Sequence, residues 1–313
     1  MKNVPKILFM GTPEFAVPTL ENLLKEAYPV IGVVTQPDRP KGRGKALAAP
    51  PVKIFAQEKG LTVLQPERVR EEAFLKKFRI LAPDMVVLVA FGQILPKAII
   101  DFPQMGCLNV HPSLLPKYRG AAPMNWSLIR GETKTGVTII LMGEGVDSGD
   151  ILLQEETSIG SEETFETLHD RLAVLGADLL VRTIEMIVEG NARRVPQDHS
   201  QATFAPRLKK EDGLINWSKT VADIVNLIRG LSPQPGAYTY LDGKKLKILN
   251  AVGEETAKGG LPGKIAAATE KGLPVQAKDG IVYLQDVQLE NKKRMPVGNF
   301  LRGYRIAPGT VLE

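Results

Sequence analysis

Four short segments, KILFMG (6–11), VIGVVTQ (30–36), LTVLQ (61–65) and MVVLVAFG (85–92), are continuously rather than alternately hydrophobic, and amphipathic stretches of ten or more residues lie between such runs. A strand with one wet face alternates apolar and polar side chains, so a run without alternation has to be covered on both faces. That requirement constrains the first part of the chain to an α/β fold, a Rossmann-like, mostly parallel sheet with helices on both faces. CLNVHPS (107–113), GVTIILMG (136–143) and ILLQEE (151–156) continue the strand series, and a helix over 164–188 closes it.

With 313 residues the chain exceeds one ordinary domain, for which about 150 residues is typical. The polar run EGNARRVPQDHSQATFAPR reads as a linker. Beyond it the signals change to one helix near 221–229 and short strands, AYTYL (237–241), KLKIL (245–249), VQAK (275–278) and IVYLQDV (281–287), broken by Gly and Asp turns. Short strands at close spacing predict a smaller C-terminal β-barrel of the oligonucleotide-binding (OB-like) kind. The expected division is 1–189, a linker over 190–206, and 207–313. Charge follows it: residues 1–200 hold 23 Lys+Arg against 24 Asp+Glu, whereas residues 201–313 hold 17 against 11. The excess positive charge thus lies in the last third, which suits a polyanionic partner.

Several classes are disfavoured. No run approaches the roughly 20 apolar residues of a membrane span, and the opening MKNVPKILFMG lacks an apolar core followed by a cleavage site, so the expectation is a cytoplasmic protein with no membrane partner. The single cysteine, Cys107, has no internal disulfide partner and sits in an apolar run where a buried thiol is expected. His169 and His199 are too isolated to predict a metal site. Trp126 and Trp217 read as packing residues. The G-x-G-x-x-G fingerprint of nicotinamide enzymes is missing after the first strand.

Asn109 and His111 lie two apart on a strand, so their side chains leave one face. Polar groups at the carboxyl end of a parallel strand stand where open α/β sheets bind ligands, and Asp147 in GVDSGD is a natural partner for the histidine. Such a set suits acyl transfer to an amine, which creates an oxyanion that an amide N–H or imidazolium stabilises, while a histidine–carboxylate pair can relay the amine proton. By spacing alone, His111 is equally a structural histidine, Asn109 a turn former and Asp147 a cap.

The block NVHPSLLPKYRGAAP followed by GVDSGDIL closely resembles the folate-dependent formyltransferase family. The resemblance implies catalytic roles for Asn109, His111 and Asp147. It further implies a folate site bordered by Ser113, Leu114, Leu115 and Pro116, and a pterin pocket lined by the backbone of Ala90, Phe91 and Gly92. The co-substrate implied is 10-formyltetrahydrofolate, and no metal is required.

Within that family the opening ILFMGTPEFAVPTLENL is similar to the branch that formylates methionyl-tRNA, and Thr12, Pro13 and Glu14 leave few backbone N–H groups for a phosphate. The stretch TQPDRPKGRGKALAAPPVK, where prolines and glycines oppose a helix, reads as a mobile basic loop. It looks like the insertion that meets the acceptor stem in that branch, which implies tRNA contacts for Arg39, Lys41, Arg43 and Lys45. The last third, from FAPRLKKEDGLINWS onward, resembles the branch's tRNA-binding extension, so Lys209 and Lys210, together with Lys244, Lys245 and Lys247, join the expected polyanion surface. Initiator methionyl-tRNA is then the expected acceptor and a monomer the default state. An amino-sugar-nucleotide formyltransferase or a 10-formyltetrahydrofolate hydrolase remains the alternative, although neither gives the basic loop a partner.

Overall fold

A computed structural model describes residues 4–41, 46–256, 260–307 and 309–313. The chain divides into two compact units. The first is made of Met1–Gly120, Thr135–Thr157 and His169–Phe204, the second of Ala121–Lys134, Ser158–Leu168 and Ala205–Glu313.

The first unit is built on β1 (Ile7–Gly11), β2 (Val30–Val34), β3 (Arg39–Lys41), β4 (Ala46–Ala48), β5 (Val63–Leu64), β6 (Met85–Val89), β7 (Cys107–His111), β8 (Arg119–Gly120), β9 (Lys134–Leu141) and β10 (Asp150–Ser158). Seven of these form one sheet in the order β10-β9-β7-β6-β1-β2-β5. Pairing is parallel from β5 through β2, β1 and β6 to β7, and antiparallel between β7 and β9. Its helices are α1 (Val17–Lys25), α2 (Pro51–Glu58), α3 (Glu72–Leu81), α4 (Lys97–Ile100) and, from His169 onward, α6 (Phe165–Val188), whereas α5 (Pro123–Ile129) belongs to the second unit.

Continuous hydrophobicity in the strands has the expected cause. Leu8, Met10, Val86, Leu88 and Cys107 face one way and pack with Phe74, Leu75 and Phe78 of α3 and Ile99 of α4 in one buried cluster. On the opposite face α6 lies so close that a Cβ added at Gly176 would stand 2.8 Å from Val110 Cγ1 and 3.4 Å from Val137 Cγ1. Helices therefore cover both faces, and period-two alternation sends Asn109 and His111 to the side of Cys107.

In the second unit α7 (Val221–Leu231) starts at Thr220, whose hydroxyl accepts the Asp223 N–H, and presents Val221, Ile224, Ile228 and Leu231 to an antiparallel sheet. After the short β11 (Phe204–Ala205), its strands are β12 (Ala237–Leu241), β13 (Lys244–Glu255), β14 (Leu273–Gln276), β15 (Gly280–Leu289) and β16 (Met295–Pro296), followed by α8 (Val297–Gly303). The order is β12-β13-β15-β14, with β16 paired to β15. The chain is thus a mostly parallel sheet with helices, joined to an antiparallel sheet domain.

The basic loop differs from its expectation at its base. Arg39, Pro40 and Lys41 pair antiparallel with Ala48, Leu47 and Ala46. Asp38 beside them is fixed, because Lys53 Nζ reaches both carboxylate oxygens at 2.8 and 2.7 Å and Gln65 donates to one at 2.8 Å. These contacts hold the Asp38 carboxyl below its usual range, the Gln65 hydrogen bond contributing most and Lys53 next. Proline is compatible with such a short two-stranded edge ladder, so its presence did not exclude strand. Residues 42–45, including Arg43 and Lys45, lie outside the described residues.

Candidate active site

The path of the chain through the sheet opens a crevice. From β1 it moves outward to β2 and β5, then returns to lay β6 on the other side of β1; ligands of open α/β sheets bind at the carboxyl ends of strands flanking such a reversal. Here the residues after β1 and β6 are tied together: Thr12 Oγ1 and Gln36 Nε2 both donate to the Phe91 carbonyl, at 2.9 and 3.2 Å.

Beside this crevice the end of β7 delivers Asn109 and His111, 7% and 4% exposed. Asp147 comes from the loop between β9 and β10. Asn109 Nδ2 donates to Asp147 Oδ1 at 3.2 Å, the Gly120 N–H donates to Oδ2 at 2.9 Å, and His111 Nδ1 stands 3.6 Å from Oδ1. His111 Nε2 lies 3.0 Å from the Tyr118 carbonyl. A carbonyl only accepts, so Nε2 carries a hydrogen and Nδ1 is the nitrogen turned to the carboxylate.

Three non-glycine residues around this constellation occupy the left-handed region: Ala90 (φ 45), Tyr118 (φ 61) and Asp147 (φ 50). Such backbone is costly and persists where surrounding contacts enforce it, commonly at functional sites. Gly149 permits the Asp147 loop to turn back, since an added Cβ would meet the Leu141 carbonyl oxygen at 1.9 Å.

The Ser113–Pro116 turn is braced from behind by two residues that sequence reasoning did not single out. Thr138 Oγ1 donates to the Ser113 carbonyl and accepts the Leu115 N–H, while Gln154 Nε2 donates to the Leu115 carbonyl and to Thr138 Oγ1. The Ser113 hydroxyl donates to the Lys117 carbonyl at 2.7 Å, so it stabilises the turn itself. Leu114 and Pro116 are half-buried and Leu115 is buried. Ala90 and Gly92 are exposed at the crevice, whereas Phe91 is buried with its carbonyl already engaged. Backbone remains the means by which this segment can meet a ligand.

Beyond Gly92 an open cleft of about 400 Å³ is lined by Arg39, Arg68, Arg70, Gln36 and Gln93 among others. Arg68 and Arg70 carry no sequence signal, because they sit in an ordinary polar stretch. Arg39 is exposed, and nothing is described of the Lys41 side chain.

Lys209 and Lys210 are exposed in the second unit. There Lys245 Nζ lies 3.3 Å from the Tyr238 ring centroid. Burial first, then the nearby charges of Lys247 and Lys210, pushes the Lys245 ammonium below the usual lysine range. Like charges held this close make a local anion-binding potential.

The remaining sequence expectations are placed as follows. Cys107 is buried, donates to the Ile99 carbonyl, and is pushed up to about 12 chiefly by burial. Trp217 is buried with its indole N–H on Thr239, and Trp126 donates to the Pro206 carbonyl. His169 packs edge-on against Phe15, and His199 meets Arg119. Among the described residues no group of three or more His, Cys, Asp or Glu could hold a metal, and no helix is long and apolar enough to cross a membrane.

Comparison with known proteins identifies the family. The formyl transferase family model matches residues 5–184, and the model of the formyl transferase C-terminal domain matches residues 207–305. The chain is 60% identical over 306 residues to a methionyl-tRNA formyltransferase of Syntrophus aciditrophicus, covering 98% of both proteins. It is 52% identical over 308 residues to that of Geotalea uraniireducens, covering 98% of this chain and 97% of the relative. An N-formyltransferase from Helicobacter canadensis, solved with folinic acid and dTDP-3-aminofucose, shares the fold at a TM-score of 0.65 and 19% identity, over 92% of this chain and 99% of that one. By full-length identity and by both family models, the chain belongs to the methionyl-tRNA formyltransferase family of formyl transferases.

Proposed function

We propose that this protein moves the formyl group of 10-formyltetrahydrofolate to the α-amino group of initiator methionyl-tRNA, giving N-formylmethionyl-tRNA and tetrahydrofolate. The observation that carries the chemistry is the convergence of Asp147 on Asn109 and His111 at the carboxyl edge of the sheet. The nearly complete coverage of methionyl-tRNA formyltransferases supports the acceptor.

Each residue has a chemical task. Asn109 uses one amide hydrogen on Asp147 and directs the other at the oxygen that becomes negative when the amine nitrogen bonds to the formyl carbon. His111, its Nε2–H held by the Tyr118 carbonyl, works through Nδ1, which accepts the proton lost by the attacking amine, donates it to the same oxygen while it carries it, and hands it on to Asp147. Asp147 is the countercharge that takes up the proton lost by the attacking amine. As the old C–N bond breaks, that proton goes to the departing folate nitrogen, which closes the balance.

Ser113–Pro116 and the backbone of Ala90–Gly92 border the folate slot in this reading, and Arg68 and Arg70 suit the carboxylates of its outer portion. Arg39, Lys41, Arg43 and Lys45 meet the acceptor stem. Lys209, Lys210 and Lys245 serve the polyanion in the C-terminal part. Residues 1–189 form the catalytic domain, 190–206 the linker and 207–313 the tRNA-binding domain of a cytoplasmic monomer. The test is an acceptor panel with purified protein and 10-formyltetrahydrofolate. Formyl transfer to methionyl-tRNA should exceed transfer to free methionine, an amino sugar nucleotide, glycinamide ribonucleotide or water by orders of magnitude. Preference for any other acceptor overturns the assignment.

A further inference from the structure

The stretch Tyr118–Gly120 touches the reacting pair twice, through the Tyr118 carbonyl on His111 and the Gly120 N–H on Asp147. Arg119, between them, turns its side chain elsewhere. The residue is only 7% exposed and its guanidinium makes no ion pair among the described residues, an arrangement that is strongly unfavourable unless the donors are well placed. Its Nε and Nη2 both donate to Gln197 Oε1, at 3.1 and 2.6 Å, and Nη2 also lies 2.9 Å from His199 Nδ1. Gln197, 6% exposed, uses its amide hydrogens in the opposite direction: Nε2 donates to the Asp147 carbonyl at 2.9 Å and to the Gly149 carbonyl at 2.7 Å.

We propose that Gln197, oriented by the buried guanidinium of Arg119, is a positioning residue for Asp147. Asp147 is held at both ends: its carboxylate by Gly120 and Asn109, its own backbone carbonyl by Gln197. Its left-handed backbone (φ 50) is a conformation an aspartate leaves readily unless tied. Arg119 fixes the amide so that oxygen faces the guanidinium and nitrogen faces the two carbonyls, because the reversed amide would set N–H groups against N–H groups. A segment that reads in sequence as a linker thereby supplies a part of the catalytic geometry. This inference rests on the assignment of Asp147 to formyl transfer.

Gln197→Glu separates the two halves of the contact. The carboxylate keeps Arg119 as partner, so folding is retained, but it places oxygen against the Asp147 and Gly149 carbonyls. Turnover on methionyl-tRNA should fall by about ten- to a hundredfold, the scale of a roughly 1 Å misplacement, while KM for the folate donor and for tRNA changes less than threefold. Gln197→Met, which removes both sets of bonds at similar size, should reduce kcat comparably. On an Asp147→Asn background, Gln197→Glu should cost less than twofold, since residues acting as a unit are not additive. Unchanged kcat in folded Gln197→Glu, or a full additional loss on the Asp147→Asn background, overturns the proposal in favour of a structural brace. Absence of formyl transfer by the unmodified protein would instead remove the assignment of the site.

Discussion

Asp147→Asn is the substitution whose cost can be worked from the geometry. Size and shape are preserved, and one amide oxygen can still accept the Gly120 N–H that now lies 2.9 Å from Oδ2. What disappears is the negative charge 3.6 Å from His111 Nδ1. Two unit charges about 4 Å apart interact by about 4 kcal/mol at an effective dielectric near 20. The side chains of His111 and Asp147 are 5% and 12% exposed, so solvent screening is limited. Loss of that countercharge to the positive charge that develops as the proton is transferred costs up to about 4 kcal/mol, which corresponds to about three orders of magnitude in kcat. Asn109 adds to the effect, because its Nδ2, 3.2 Å from Oδ1, then faces either a neutral oxygen or another amide nitrogen. The assay is single-turnover formylation of methionyl-tRNA at saturating folate, with tRNA binding measured separately. A kcat reduced less than tenfold in a folded variant would refute the charge-pairing role, and equal loss in tRNA affinity would show that the residue acts in binding.

Gly149→Ala forces a methyl group onto the Leu141 carbonyl, a backbone neighbour unable to move alone; we expect about 1–3 kcal/mol of destabilisation in urea titration and a marked fall in kcat, and wild-type values of both would contradict the packing described. Cys107, pushed up to about 12 by burial, should resist alkylation at pH 8 until the protein unfolds, and labelling of native protein at the rate of an exposed thiol would contradict its burial. The folded state keeps this proton after the unfolded thiol, near 9.0, has lost it, so the thiol's contribution is present below about pH 9 and declines between 9 and 12. Cys107→Ala should remove that alkaline component, and an identical pH dependence in the variant would disprove it. Replacing Lys210 and Lys245 together by Ala should weaken tRNA binding and reduce the salt slope by about one to two, whereas an unchanged slope would place the phosphates elsewhere.

Much of the fold was legible because burial on two faces leaves a direct mark on sequence. ILFMG and MVVLV are continuous apolar runs, and they are the adjacent central strands β1 and β6. The pairing of Asn109 with His111 was equally legible, since period-two geometry needs only their spacing. Where backbone pairing is short the sequence was a poorer guide: LTVLQ, expected as a strand over 61–65, pairs only at Val63–Leu64 at the sheet edge, and the hairpin at Arg39–Lys41 is hidden by its own proline and glycines. The contacts that support the site were illegible for a different reason. Gln197 is 50 residues from Asp147, and Arg119 is 78 residues from Gln197. No local pattern distinguishes a buried glutamine in a polar linker from a solvated one. Arg68, Arg70, Thr138 and Gln154 escaped likewise, because their roles arise from tertiary proximity alone.

A crystal structure with a stable 10-formyltetrahydrofolate analogue and a methionyl-adenosine acceptor tests the central claim most directly. The formyl oxygen is expected about 2.7–3.1 Å from Asn109 Nδ2 or His111 Nδ1, with the acceptor amine about 3–3.5 Å from the formyl carbon and Asp147 beside it. A pterin seated away from Ala90–Gly92, with its formyl group out of reach of all three side chains, would contradict it.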